Sequence, residues 1–158
     1  HYDLYTPKWS EHIFDEWKKV MKEKGVSEEE ANKRISKANL AFPDALVQNY
    51  KGLIDHLELP DVDDRHVLAA AIKTNANLIV TNNIKDFPEK YLQSFGLNAK
   101  TADDFLTDII DLNQEQAITA FKEMVLNKKN PKQDEFEVLK LLRNAGLKDT
   151  ANYLHALL

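Results

Sequence analysis

Two nearby stretches decide the fold of this chain: residues 59–72 read LPDVDDRHVLAAAI and residues 78–88 read LIVTNNIKDFP. In the first, acidic residues lead into an alanine-rich apolar run, a pattern typical of a helix with a buried face. In the second, an apolar run at 78–80 is followed by polar residues at 81–83. A short apolar run after a helix predicts a strand buried on both faces of a parallel sheet. Together the two stretches indicate an α/β fold.

The rest of the chain is predicted to be mainly helical, because glycine occurs only four times and proline five times. Ser10, Ser27 and Thr101 are candidate N-caps, and apolar residues recur at helical spacing after them. The helices predicted in this way lie at about residues 10–22, 28–37, 44–57, 67–72, 88–95, 101–112, 115–127, 133–145 and 149–158. Further strands are predicted at 2–6 and 97–99.

The domain organisation follows from this pattern and from the length of the chain. The 158 residues suffice for one domain with a hydrophobic core and a small helical addition. We expect a domain at residues 1–112, with a short parallel sheet flanked by helices, and a C-terminal helical appendage at 113–158.

The composition excludes several classes of protein. The chain has no cysteine, which excludes disulfides and zinc sites built on sulfur. It also has no apolar run of about 20 residues, so no membrane partner and a cytoplasmic location are expected. A net charge of −5 gives no strong attraction to nucleic acid, and binding would need a local patch, a partner or metal ions.

Two helix-borne carboxylates are the first candidate site residues. Glu16 falls at the margin of the apolar face of its predicted helix, where it either looks into a groove or is simply solvated. Asp64 lies on the same face as Val67 and Leu68, so its carboxylate needs a partner on the packed side. The alternative for Asp64 is capping, together with Asp61 as N-cap.

The loop after the predicted strand holds the other candidates. Asn83 and Asp86 follow the carboxyl end of that strand, where parallel α/β sheets commonly place ligand sites. The alternative is a polar turn that begins the next helix. Combined with Glu16 and Asp64, these side chains form a set of hard oxygen ligands suited to Mg²⁺ or Mn²⁺.

The histidines and aromatic residues are interpreted more plainly. His12 and His66 are expected to be packing or surface groups, because a lone histidine beside an apolar face is seldom a base or a ligand. Trp9, Phe14 and Trp17 are expected to build core and not to stack on nucleic-acid bases.

The stretches 59–72 and 78–88 resemble a bacterial PIN-domain family related to VapC-type toxins, and residues 4–17, LYTPKWSEHIFDEW, resemble its strand and following helix. The resemblance implies a Mg²⁺- or Mn²⁺-dependent endoribonuclease, the toxin of a toxin–antitoxin pair. Its expected partners are an RNA substrate, an antitoxin protein and a second copy of the chain. It assigns Glu16, Asp64 and Asn83 as metal ligands and adds Asp86 to the catalytic residues.

One departure from the family concerns the start of the chain. The family places an apolar strand ending in an aspartate, then a helix, before the segment that resembles residues 4–17, and nothing precedes His1 here. Asp3 does not fit that role. The expectation is that the central N-terminal strand is missing and that this chain alone is weak or inactive.

Three other protein classes are alternatives to the PIN-domain hypothesis. Haloacid-dehalogenase-like phosphatases have a strand ending like that at Thr81, but they need a nucleophilic aspartate directly after an apolar strand. An EF-hand calcium loop needs a glycine and a later glutamate that residues 61–65 do not provide. A non-catalytic PIN-like interaction module stays open, and it predicts no metal dependence.

Overall fold

The computed structural model describes residues 4–129 and 131–158. In this part of the chain, helices dominate and two strands form one short parallel sheet. The α-helices are α1 (Glu11–Glu23), α2 (Glu28–Ala41), α3 (Lys51–Ile54), α4 (Arg65–Lys73), α5 (Glu89–Gln93), α6 (Ala102–Leu112), α7 (Gln114–Leu126), α8 (Glu135–Asn144) and α9 (Lys148–Leu157). The strands are β1 (Leu78–Val80) and β2 (Asn98–Lys100), and 3-10 turns occupy Val62–Asp64 and Ile84–Asp86. The predicted α/β class with a helical C-terminal part is confirmed.

Side-chain caps explain where several helices begin. Ser10 accepts a hydrogen bond from the Ile13 amide at 3.3 Å and begins α1. Ser27 and Thr101 make the same bond at 3.1 Å, to the amides three residues ahead of each. Such caps satisfy backbone N–H groups that a helix leaves without internal partners. The three predicted N-caps are confirmed.

The helix predicted over residues 44–57 is wrong, since only Lys51–Ile54 is helical there. The backbone of this segment pairs with Trp9 instead. The Trp9 amide donates to Ala45 O at 3.0 Å, and the Val47 amide donates to Trp9 O at 2.8 Å. Asn49 then adopts a positive φ of 61°, which interrupts helical geometry. The preceding helix, predicted to end near residue 37, continues to Ala41.

The strand predictions need three corrections. Of residues 2–6, the first two lie outside the described residues, and the described 4–6 form no strand. In this part of the chain, Trp9 instead forms an isolated parallel bridge with Leu46. Burial on both faces of β1 is also wrong, because Ile79 is buried while Val80 is 46% exposed.

The expectation that three aromatic residues build core holds in part. Phe14 is buried and Trp9 is half-buried, but Trp17 is 40% exposed. The Trp17 ring lies against Phe14 with 6.1 Å between ring centroids, so one face is covered and the rest meets solvent.

The described chain forms two compact units. The first contains residues 6–79 and 83–99, with a core around α4 and β1. The second contains residues 100–158 together with 80–82 and 4–5. Its core is formed by Ile110, Ala117, Phe121, Val125, Val138, Leu139, Ala151 and Leu154. A domain boundary at 112/113 stays a prediction. Among the described residues, no helix has the length and apolar character needed to span a membrane.

Candidate metal centre

Three aspartates of the first unit come together at one place. One carboxylate oxygen from each of Asp61, Asp64 and Asp86 lies within 4.8 Å of the other two. Asp61 precedes the turn Val62–Asp64, and Asp86 ends the turn that follows β1. The cluster therefore joins the start of α4 to the loop beyond the carboxyl end of β1.

The 3-10 turn explains why Asp61 and Asp64 approach each other. The Asp63 amide donates to Asp61 Oδ1 at 2.9 Å, and the Asp64 amide donates to Asp61 O at 3.1 Å. A 3-10 helix has three residues per turn, so side chains three positions apart eclipse one another. The turn thus stacks the carboxylates of Asp61 and Asp64 on the same side.

Capping accounts for Asp61 but not for Asp64. Asp61 is the N-cap of the 3-10 turn. Asp64 occupies the N-cap position of α4, yet within the described chain its side chain caps no amide of that helix. Its Oδ2 is buried and has no hydrogen-bond partner among residues 4–129 and 131–158. An acceptor in this state needs a cation or another donor.

The electrostatics of Asp64 agree with that requirement. Burial raises the pKa of its carboxyl above the ordinary value of 3.8, and the charges of Asp61, Asp86 and Glu16 raise it further. His66 acts in the opposite direction and lowers this pKa. Ionised Asp64 is therefore disfavoured where it lies, which a bound cation would reverse.

Glu16, on α1, contacts His66 of α4. Its side chain is 56% exposed, and its Oε1 accepts a hydrogen bond from Nε2 of His66. His66 lies on α4, two positions after Asp64, and is only 6% exposed. The negative charge of Glu16 raises the pKa of the Asp64 carboxyl, as do those of Asp61 and Asp86.

Two further side chains, His12 and Tyr50, extend the contact between Glu16 and His66. The rings of His12 and His66 stack with 4.9 Å between centroids and 20° between planes. Nδ1 of His12 shares a hydrogen bond with the hydroxyl of Tyr50, which is 2% exposed. The sequence carried one signal for this arrangement, because His12 and Glu16 are four residues apart and so share a face of α1.

The structure brings together part of the predicted set. Asp64 and Asp86 lie in the aspartate cluster, and Asp61, expected only as a cap, is its third member. Asn83 is exposed and precedes the turn Ile84–Asp86, where its carbonyl accepts from the Asp86 amide at 2.9 Å. The roles of Glu16 and Asn83 as metal ligands stay predictions.

The cluster fits a small divalent ion. Oxygens bound to Mg²⁺ at about 2.1 Å lie at most about 4.2 Å apart, so small side-chain rotations would close a 4.8 Å span. Carboxylate oxygens are the ligands that Mg²⁺ and Mn²⁺ prefer. The buried Asp64 Oδ2 supplies the acceptor in need of a partner.

Comparisons with known proteins match both parts of the chain. Residues 4–85, just over half of the chain, match the family model described as PIN domain. Residues 102–156 match a second model, described as VapC50 C-terminal domain. No solved structure matches.

A curated relative agrees with these matches. The protein described as "Putative ribonuclease VapC50" from Mycobacterium tuberculosis (strain ATCC 25618 / H37Rv) is 50% identical over 52 residues. This similarity covers 33% of the present chain and 31% of the relative, so it spans about a third of that protein's length. Because the matched model covers more than half of it, the chain belongs to the PIN-domain family, and it continues into a segment similar to the VapC50 C-terminal domain.

Proposed function

We propose that this chain contributes the metal centre of a Mg²⁺- or Mn²⁺-dependent endoribonuclease, the toxin of a toxin–antitoxin pair in the cytoplasm. The observation that carries the proposal is the cluster of Asp61, Asp64 and Asp86, with its buried, unpartnered Asp64 oxygen among the described residues. Membership of the PIN family and similarity to the protein described as "Putative ribonuclease VapC50" support the choice of RNA as substrate.

The proposed role of each residue follows from its position in the site. Asp61, Asp64 and Asp86 would hold the ion, and Glu16 would add a fourth carboxylate from α1. Asn83, at the start of the loop that carries Asp86, is the proposed neutral ligand or substrate contact. When bound, a divalent ion supplies an activated water and stabilises negative charge on the phosphate.

The charge of the chain explains why the cation is needed for binding as well as for chemistry. RNA is a polyanion, and the chain carries a net charge of −5. A cluster of carboxylates alone would repel phosphates, since affinity for nucleic acid comes from positive charge. The aspartates would therefore bind RNA only through the cation they hold.

The test measures cleavage of a fluorescent RNA by the complete gene product that contains these residues. Cleavage should require Mg²⁺ or Mn²⁺ and should stop in excess EDTA. Asp64→Asn keeps the shape of the side chain but removes its charge, so the rate should fall by more than the about 10–100-fold typical of residues that only support a ligand. Asp63→Asn is the matched control, because Asp63 is exposed and outside the cluster.

Two results would contradict the proposal. Equal cleavage in excess EDTA would exclude the metal mechanism, and full activity of Asp64→Asn would remove Asp64 from the site. Absence of both cation binding and cleavage would favour the non-catalytic interaction module. An antitoxin protein and a second copy of the chain remain proposed partners, which copurification and sedimentation of the same gene product would test.

A further inference from the structure

We propose that His66 is a positioning residue, whose buried imidazole holds the Glu16 carboxylate beside the aspartate cluster. The inference rests on the proposed function, because it assigns Glu16 to the same cation. The sequence pattern alone predicts only a packing or surface role for His66. Four side chains carry it: Tyr50, His12, His66 and Glu16, here called the His–Tyr row.

The geometry places His66 between the two parts of the site. Its Nε2 donates to Glu16 Oε1, and its backbone stands two positions after Asp64 at the start of α4. His66 thus contacts Glu16 of α1 and lies on α4, the helix that has Asp64 at its N-cap position. The position of Glu16 relative to Asp64 depends on this contact between α1 and α4.

Glu16 needs such support because its side chain is long and more than half exposed. Its side chain is 56% exposed and has several rotatable bonds. Ordering a glutamate side chain costs it much of its rotamer freedom. Its negative charge would also be repelled by that of Asp64, whose pKa it raises. A hydrogen bond from a buried donor offsets both costs before a cation arrives.

Histidine suits this task better than lysine or arginine. An imidazole donates from Nε2 as a neutral group, whereas an ammonium or guanidinium brings a permanent positive charge. A permanent charge beside Glu16 and Asp64 would compete with the metal ion for their carboxylates. In its neutral form, His66 orients Glu16 without adding a positive charge that competes with the metal ion.

The rest of the row holds the imidazole in place. His12 stacks on His66, and the buried Tyr50 hydroxyl is hydrogen-bonded to His12. Tyr50 belongs to the core of the first unit, so the row is anchored in well-packed surroundings. Rotation of the His66 ring would break its stacking contact with His12.

The test is the affinity of the 158-residue chain for Mn²⁺, measured by isothermal titration calorimetry, with thermal unfolding of each variant without metal. His66→Leu should weaken Mn²⁺ binding about 10–100-fold, the range typical of residues that orient a ligand. His66→Gln presents an amide N–H near the position of Nε2 and should stay within about 3-fold. His56→Leu, an exposed histidine of the same unit, is the control and should change nothing.

A double-mutant cycle with Glu16→Gln separates positioning from a general effect on folding. If His66 acts through Glu16, His66→Leu should weaken binding little further once Glu16 is replaced. Additive effects would overturn the inference, and so would unchanged Mn²⁺ affinity of a folded His66→Leu variant. If the leucine variant unfolds, His66→Asn takes its place in the cycle, because its amide is too short to reach Glu16.

The outcome also separates this inference from the proposed function. If the unmodified chain binds no Mn²⁺ at millimolar concentration, both the positioning role of His66 and the proposed function are contradicted. An unmodified chain that binds Mn²⁺ through Asp64, but is insensitive to His66→Leu, would remove the positioning role alone.

Discussion

At the scale of single residues, the surroundings of Asp64 disfavour the ionised form of its carboxyl. It is half-buried, one of its oxygens has no partner among the described residues, and three other carboxylates raise its pKa after burial has already done so. Burying like charges together is costly in the absence of a compensating ion. Such sites commonly exchange stability for function.

Asp64→Asn should therefore stabilise the metal-free chain while it weakens cation binding. A carboxyl with a raised pKa in the folded state costs stability at neutral pH, and the cost shrinks as the pH falls toward the ordinary value of 3.8. In a chain of this size, each kcal/mol relieved raises Tm by about 2–4 °C. The measurement is thermal unfolding at pH 7 in EDTA and in Mn²⁺.

The control variant Asp63→Asn shows whether loss of any nearby negative charge changes Tm, or only loss of the charge of Asp64. That variant removes the same charge from an exposed neighbour and should leave both Tm values nearly unchanged. Added Mn²⁺ should raise the Tm of the unmodified chain more than that of Asp64→Asn, since a ligand stabilises only the state that binds it. A lower Tm for metal-free Asp64→Asn would contradict the argument.

At the scale of elements, the start of α9 is capped by a side chain from α6. Leu147, the residue before α9, provides no capping group, but Asp103 accepts from the amides of Asp149 and Thr150 at 2.9 and 2.8 Å. The buried Thr150 hydroxyl also donates to Asp103. Asp103 thus does for α9 what an N-cap residue does for its own helix.

Asp103→Ala should destabilise the chain by about 1 kcal/mol, within the roughly 0.5–2 kcal/mol range for loss of an N-cap. Urea unfolding followed by circular dichroism would measure the change. Glu123→Ala, at an exposed acid of α7, is the control and should have a smaller effect. Equal effects of the two substitutions would show that the cap contributes nothing specific.

The Asp103 contribution should also depend on pH. Burial raises the pKa of its carboxyl, but the hydrogen bonds from Thr150 and Asp149 outweigh this, and the pKa is lowered from 3.8. A lowered pKa in the folded state means that the stabilisation is complete above the ordinary value and is lost as the pH falls through the lowered one. The difference between the unmodified chain and Asp103→Asn should therefore shrink below about pH 3.8.

At the scale of the whole molecule, the described chain has two cores and places the candidate site in one of them. All members of the His–Tyr row and the aspartate cluster belong to the first unit. The second unit packs its own apolar cluster, in which Leu139 is fully buried. In this unit Glu123 and Glu137 are exposed, and Glu137 forms a capping box with Asp134.

A matched pair of core substitutions should separate the two units. Leu68→Ala and Leu139→Ala each remove a fully buried leucine, and each should cost about 2–5 kcal/mol. Leu68 lies on α4, which carries Asp64 at its start, so Leu68→Ala should also weaken Mn²⁺ binding. Leu139→Ala should leave Mn²⁺ affinity within about 2-fold under conditions where the chain stays folded. An equal loss of affinity in both variants would show that the site depends on both cores.

The features that could be predicted from the sequence depend on neighbours within one helical turn. Ser10, Ser27 and Thr101 begin their helices by accepting an amide three residues ahead, which is visible in the sequence as a spacing. The strand at residues 78–80 and the α/β class follow from equally local patterns. These predictions succeeded because the deciding contacts are made within a few residues.

The features that depend on distant contacts are visible in the folded chain and not in the sequence. The segment after Pro43 forms a bridge with Trp9 in place of most of the predicted helix, because backbone groups more than 30 residues away offered partners. His66 meets Glu16 across 50 positions, and Asp86 joins Asp61 and Asp64 across more than 20. Residue type and spacing predicted Glu16, Asp64 and Asp86 as candidate site residues. The contacts of Asp61 and His66 at the site depend on burial and on the closure of long loops, so the sequence did not predict them. Those two effects act on the folded chain as a whole, so no local pattern records them.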